Sequence, residues 1–302
     1  MAITNNDTRF LFYAKNQGCD FSETLMLGRL RLIATYDYIK YCIGRYGSNV
    51  KSFEQVTFKD NYSEPLFEIL GAGKVDSLDF SDYEKATIIH DLNLPFPREL
   101  RNRFTTIIDS GTLEHIFNFP TAIKNCMNAL KTGGHFIGIT PANNLMGHGF
   151  YQFSPELYYR IFSETNGFVV KKMFITSEDN MSAGAKWFEV MDPVNVKDRV
   201  TLVNQKPLYL MVFAQKLEDK EIFSVVPQQS DYTSVWTVAE SVKNDIKSEQ
   251  DSNIKFLYRK YIPEGLKTML RNLYFLFRKK TVHSEELGQI NPEHFKEFKE
   301  DG

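Results

Sequence analysis

Several acidic and histidine positions could do chemistry if the fold gathers them at one edge. Asp79 closes the apolar run Val75 to Phe80, where a carboxylate can accept hydrogen bonds from both hydroxyls of a ribose. Asp91 follows Ile88-Ile89-His90; it can accept from an adenine amino group, or it can cap its own backbone in the turn Asp91-Leu92-Asn93. Asp109-Ser110-Gly111 ends a further apolar run and leads into Leu113-Glu114-His115-Ile116. His148 stands between Gly147 and Gly149, in a loop with Asn143, Asn144, Tyr151 and Gln152. A histidine titrates near neutrality, so His148 could deprotonate a substrate hydroxyl, or it could serve only to tie down the loop. The polar and aromatic mixture around it suits a sugar. His90 and His135 occupy strand positions and read as structural.

These residues need a scaffold that ends several strands together. Short apolar runs recur at Thr24 to Gly28, Val75 to Phe80, Ala86 to His90, Thr105 to Asp109, His135 to Thr140, Phe168 to Thr176 and Leu208 to Gln215. Helix-like segments separate them, the pattern of a parallel sheet with crossover helices. Glu64 to Leu70 ends in Gly-Ala-Gly, and Thr121 to Leu130 ends at Gly133-Gly134, both as helices do. Ser154-Pro155-Glu156 supplies an N-cap, a first-turn proline and an early acid for a third helix. The expected fold is α/β: a doubly wound, Rossmann-like, seven-stranded sheet with a helical C-terminal extension. In such a sheet ligands lie beyond the carboxyl ends of the strands, where the residues above fall.

A chain of 302 residues can bury one substantial core and carry an appendage. We divide it into an N-terminal segment 1–20, a catalytic-sized domain 21–217, and a linker with helical extension 218–302. The run Lys247 to Ser252 is too polar to bury itself. Beyond it Leu266, Met269, Leu270, Leu273, Tyr274 and Phe277 form an apolar stripe beside Lys267, Arg271, Arg278, Lys279 and Lys280. The stripe suits packing against the core or against a second subunit in a homodimer, and its basic flank suits peripheral membrane contact through 266–280. The residues after it are polar and read as frayed. The net charge of −2 argues against a nucleic-acid partner, and three dispersed cysteines without a Cys-x-x-Cys pair argue against disulfides or structural zinc. With neither a signal-peptide pattern nor a membrane-length apolar run, a cytoplasmic location is expected, membrane-associated if the stripe engages lipid.

The block from Phe104 to Pro141 resembles the class I S-adenosylmethionine-dependent methyltransferases. A strand ending Asp109-Ser110, then Leu113-Glu114-His115-Ile116, a helix, Leu130-Lys131-Thr132-Gly133-Gly134 and another strand is a recurrent arrangement there. The resemblance spans roughly Phe21 to Leu217. Leu27-Gly28-Arg29, Ser77 to Glu84 and Gly147 to Pro155 are similar to a bacterial branch associated with surface glycan biosynthesis. It implies S-adenosylmethionine as cofactor, held by Gly28, Asp79, Phe80, Asp91, Leu92, Asp109, Ser110 and Gly111. His148 would be the catalytic base, and Asn143, Asn144, Tyr151 and Gln152 would bind a glycan precursor or other polar small-molecule acceptor.

Two features depart from the family. The glycine-rich turn after the first strand is reduced to Leu27-Gly28-Arg29. Some methyltransferases acting on catechol-like rings or RNA ends bind a divalent cation through Glu-x-x-Glu-His; here Gly111 replaces the first Glu, so no metal is expected and Glu114 and His115 are only weak candidates. The expected activity is O-methylation. One rival is a degenerate methyltransferase-fold module that binds or assembles without catalysis; the other, a nicotinamide-dependent oxidoreductase, lacks its Gly-x-Gly-x-x-Gly fingerprint.

Overall fold

The computed structural model describes residues 1–47, 50–177, 184–196, 199–232, 263 and 282–299. In chain order the strands are β1 (Ala2–Ile3), β2 (Glu23–Leu27), β3 (Arg31–Leu32), β4 (Lys74–Asp79), β5 (Ile88–Ile89), β6 (Phe104–Ser110), β7 (Leu130–Asn143), β8 (Phe168–Ser177), β9 (Phe188–Val190), β10 (Leu202–Val203), β11 (Leu208–Lys216), β12 (Val282–Ser284), β13 (Gly288–Ile290) and β14 (Phe295–Glu297). The helices are α1 (Asn5–Asn16), α2 (Tyr36–Tyr46), α3 (Glu64–Ile69), α4 (Phe119–Ala129), α5 (Pro155–Ile161) and α6 (Pro193–Val196).

The main sheet runs β14-β9-β8-β11-β7-β6-β2-β4-β5. From β5 to β7 neighbouring strands are parallel, and β11 is antiparallel to both β7 and β8. The order reverses at β2, which pairs with β4 on one side and β6 on the other. That reversal is the topological switch point of a doubly wound sheet, where the crossover connections diverge and open a crevice.

Both faces are covered, so successive strand residues feed two different cores. Leu25 and Leu27 of β2 pack on one side and Met26 on the other; Ile107 and Ile108 of β6 divide in the same way, as do Val212 and Phe213 of β11. The period of two explains why these strands read as unbroken apolar runs.

All seven expected strands are present, but the sheet has nine. β9 and β14 extend the β8 edge, and at three residues each they are too short to show a period. Within the C-terminal region, the described residues 282–299 carry strands β12, β13 and β14. β14 pairs with β9, Phe295 is buried, and Phe298 lies against Phe174 and Trp187 at ring-centroid distances of 4.8 and 6.0 Å. The end read as frayed is therefore packed. The polar run 247–252 and the stripe 266–280 lie outside the described residues. Among the described residues no helix is long and apolar enough to cross a membrane.

The N-terminal segment is also structured. Thr4 caps α1, accepting from the Asp7 amide at 3.2 Å, while Asp7 accepts from the Thr4 amide at 2.9 Å. This reciprocal pair satisfies two amides at the helix start. Asn6 accepts from the Trp187 indole at 2.7 Å, and Asn5 accepts from the Thr35 amide at 2.9 Å, which links α1 to the cap of α2. Burial pushes the Asp7 carboxyl up to about 6 against its hydrogen bonds with Thr4. Between pH 3.8 and about 6 the folded chain then holds a proton that the unfolded chain has released. The stability contributed by Asp7 should fall as pH rises through that window and stay level above it. Denaturation midpoints of the wild type relative to Asp7→Asn, followed from pH 3.5 to 8, should show this fall; a pH-independent difference would refute it.

Candidate functional site

The carboxyl ends of β2, β4 and β6 enclose a cleft of about 440 Å³. Its floor is a turn built by Asp109. The fully buried Oδ1 of Asp109 accepts from the amides of Thr112 at 3.0 Å and Leu113 at 3.3 Å, while the Thr112 hydroxyl donates to the Leu27 carbonyl at 2.7 Å. The ends of the two central strands are thus tied through one threonine. Gly28 takes φ +73°, donates to the Leu78 carbonyl at 2.6 Å, and lies beneath the Met1 side chain. A Cβ at Gly28 would come 2.6 Å from Met1 Cε, so only glycine fits there with Met1 in place. The Thr112 hydroxyl also meets Met1 Sδ at 2.6 Å.

Of the residues expected to hold a cofactor, Gly28, Asp79, Phe80, Asp91 and Leu92 line the cleft. Asp79 is half-buried at the end of β4, and the Phe80 ring is exposed beside it. Asp91 makes the self-capping turn: its Oδ1 accepts from the Asn93 amide and side chain, both at 2.8 Å, and these bonds hold its carboxyl below the usual range. Asp109, Ser110 and Gly111 form the turn under the cleft and are not among its lining residues; the Ser110 hydroxyl donates to the Ala2 carbonyl at 3.1 Å. Met1, Leu78, His90, Asn93, Thr112, His115 and Ile116 complete the walls. Only His115 among these is singled out for chemistry by the sequence, because the others carry no distinctive residue pattern, and Met1 reaches the cleft from ahead of β1.

The loop carrying Asn143 to Gln152 is pinned to the same turn. The Glu114 carbonyl accepts from the amides of Phe150 at 2.7 Å and Tyr151 at 3.2 Å, and the Tyr151 hydroxyl donates to the Phe117 carbonyl at 2.6 Å. Gln152 accepts from the Leu145 amide at 2.8 Å. Asn143 donates to the Asn204 side chain at 2.7 Å, and Asn144 donates to Asn204 and to the Lys206 carbonyl at 3.0 Å. The four residues expected to face an acceptor therefore all carry bonds that shape the loop.

This anchoring brings His148 to Glu114. His148 Nε2 lies 3.4 Å from Glu114 Oε1, and the His115 and His148 rings are 5.1 Å apart. Glu114 and His115 sit in a short 3-10 turn before α4 and do not begin that helix. The Glu114 side chain has no exposure, and neither carboxylate oxygen accepts a hydrogen bond from another described residue. Burial raises its carboxyl to about 7. The Asp109 carboxyl is raised too, first by burial and then by neighbouring Glu114. His115 is lowered by burial and by the adjacent His148.

No protein-family model and no curated relative matches the chain. Solved structures with some likeness include an S-adenosylmethionine-dependent methyltransferase from Thermotoga maritima, 13% identical over 70% of this chain and 91% of that one, with a TM-score of 0.37. A second is the 1,6-didemethyltoxoflavin-N1-methyltransferase of Burkholderia thailandensis with S-adenosylhomocysteine bound: 11% identity, 70% and 78% covered, TM-score 0.35. A third is a branched-chain polyamine synthase mutein of Thermus thermophilus in complex with 5'-methylthioadenosine: 14% identity, 75% and 60% covered, TM-score 0.35. At these scores the fold assignment rests on the strand order itself.

Gly149 holds the loop to the turn. It takes φ +73°, and a Cβ there would fall 2.7 Å from the Glu114 carbonyl oxygen. Gly147 has open space around its Cβ position and no positive φ. Gly149→Ala should destabilise the protein by about 2 kcal/mol through strain and loss of the paired amides, while Gly147→Ala should be within about 0.5 kcal/mol of wild type. Equal thermal midpoints for the two variants would contradict this.

Proposed function

We propose that the chain is an S-adenosylmethionine-dependent methyltransferase acting on an oxygen of a sugar, a glycan precursor or another polar small molecule. The observation that carries the reading is the charge and place of the cleft. It lies at the switch point, it is of a size for a nucleoside-bearing ligand, and among the described residues its walls hold Asp79 and Asp91 but no lysine or arginine. A pyrophosphate would meet two carboxylates there. A sulfonium cofactor brings positive charge and no phosphate, so the same walls favour it over a nicotinamide dinucleotide.

In this reading Asp79 accepts from the ribose hydroxyls, Asp91 and Leu92 flank the adenine, and the methionine end runs toward Gly28 and Thr112. Methyl transfer would be an in-line displacement: the acceptor oxygen would bond to the methyl carbon as the carbon–sulfur bond breaks onto sulfur, the hydroxyl proton passing to a base such as His148 or to water. The protein contributes chiefly by holding the two atoms at near-attack distance. The loop carrying Asn143 to Gln152 forms the acceptor wall.

The rival module without catalysis draws on Met1, whose thioether covers Gly28 and fills part of the methionine end. Calorimetric titration with S-adenosylhomocysteine separates the two. The wild type should bind, and Asp79→Asn should bind at least tenfold more weakly, about 1.4 kcal/mol. Absence of binding to the wild type would remove the methyltransferase reading and leave the module.

A further inference from the structure

We propose that Glu114, His115 and His148 form a binding site for a first-row divalent transition-metal cation at the acceptor wall. One ligand-capable atom from each of the three lies within 4.8 Å of the others. Ligand atoms about 2.1 Å from a shared cation sit roughly 3 Å apart, so the two exposed imidazoles need only small rotations to converge on the fixed carboxylate. His148 and Glu114 are already 3.4 Å apart.

The second observation is the carboxylate itself. Glu114 is completely buried, and beyond its own backbone amide and the charge of the N-terminal ammonium, neither oxygen accepts a hydrogen bond from another described residue. A buried carboxyl group so sparsely answered is costly, and nearly all such groups in folded proteins have a partner. Nor does His148 answer it as a direct hydrogen bond: 3.4 Å exceeds the 2.7–2.9 Å typical of a charge-assisted bond. Two imidazoles lie near Glu114, each with a ligand-capable nitrogen within 4.8 Å of its carboxylate, and two imidazoles beside one carboxylate are a ligand set.

Two nitrogens and one oxygen suit zinc, iron, cobalt, nickel or manganese better than magnesium or calcium, which favour all-oxygen surroundings. Three protein ligands would leave coordination positions open, and His115 also lines the cleft. Sequence alone misses the site because its third member comes from a loop more than thirty residues downstream, while Gly111 stands where a local motif would place a carboxylate.

The binding claim rests on these side chains alone; the role of the cation rests on the methyl-transfer reading. A hydroxyl bound to a divalent cation loses its proton near neutral pH, so the cation would supply the activation otherwise assigned to a free histidine. With the cation bound, the hydroxyl proton would pass to water, the O–H pair staying on the oxygen that attacks the methyl carbon as the carbon–sulfur bond breaks onto sulfur. His148 then acts as a ligand and not as the proton acceptor.

The test is titration of the metal-free protein with cobalt(II), followed by visible d–d absorption and by calorimetry without cofactor. Wild type and the distant, exposed control His283→Ala should bind one equivalent with the band of a nitrogen- and oxygen-ligated ion. Glu114→Gln, His115→Asn and His148→Asn should each weaken binding at least tenfold. The two histidine variants alter exposed side chains and keep the test decisive if Glu114→Gln folds poorly. Absence of a band in the wild type, or wild-type affinity in both histidine variants, overturns the proposal. Cobalt binding that persists where S-adenosylhomocysteine fails to bind would support the cation site while removing the cofactor reading.

Discussion

The buried carboxylate of Asp109 is the constraint on which the site depends. It sits with no exposure at the end of the central strand β6, and one of its oxygens draws two successive amides into a tight turn. That turn sets the Thr112 hydroxyl against the end of β2 and presents the Glu114 carbonyl to the loop carrying Phe150 and Tyr151. The local geometry of the cleft and of that loop therefore descends from one side chain in a low-dielectric position. Burial of this kind costs free energy unless the group is paired, and the Asp109 carboxyl is accordingly shifted upward by its surroundings.

A second constraint shapes the far side of the sheet. Phe10 and Tyr13 of α1, Phe174 of β8, Trp187 and Phe298 form one aromatic cluster, so segments from both ends of the described chain share a core. Arg9 stacks over the Trp187 ring at 4.0 Å and donates to the Ala185 carbonyl at 2.7 Å. The sheet edge beyond β8 is then covered by β9 and β14, which limits how much unpaired backbone is left open to other chains.

Much of this was legible in the residues. Strands buried on both faces read as continuous apolar runs, and all seven such runs became strands. α5 announced itself through the Ser154-Pro155 start, and α4 through its apolar spacing, although it ends at Ala129 and the expected stop Gly133-Gly134 lies within β7. The rule that ligands lie beyond strand ends located Gly28, Asp79 and Asp91 before any coordinates. By contrast α1 was passed over although Thr4 and Asp7 form a capping pair, because its first turn of Asn5, Asn6, Asp7 and Thr8 is polar and nevertheless buried. Periodicity reports which residues are apolar, and a helix that buries amides and carboxyls against specific partners escapes it. The bonds from Asn143 and Asn144 to Asn204 were invisible for a related reason: they join loops about sixty residues apart, and nothing local in either loop encodes the other.

The Glu114 carbonyl, which accepts from Phe150 and Tyr151, makes the two walls of the cleft one mechanical unit. A movement of the turn after β6 would strain the loop 143–152 through these two bonds, and the reverse holds equally. Any two ligands that shifted the turn and the loop would therefore be linked, with the same coupling free energy whichever arrives first.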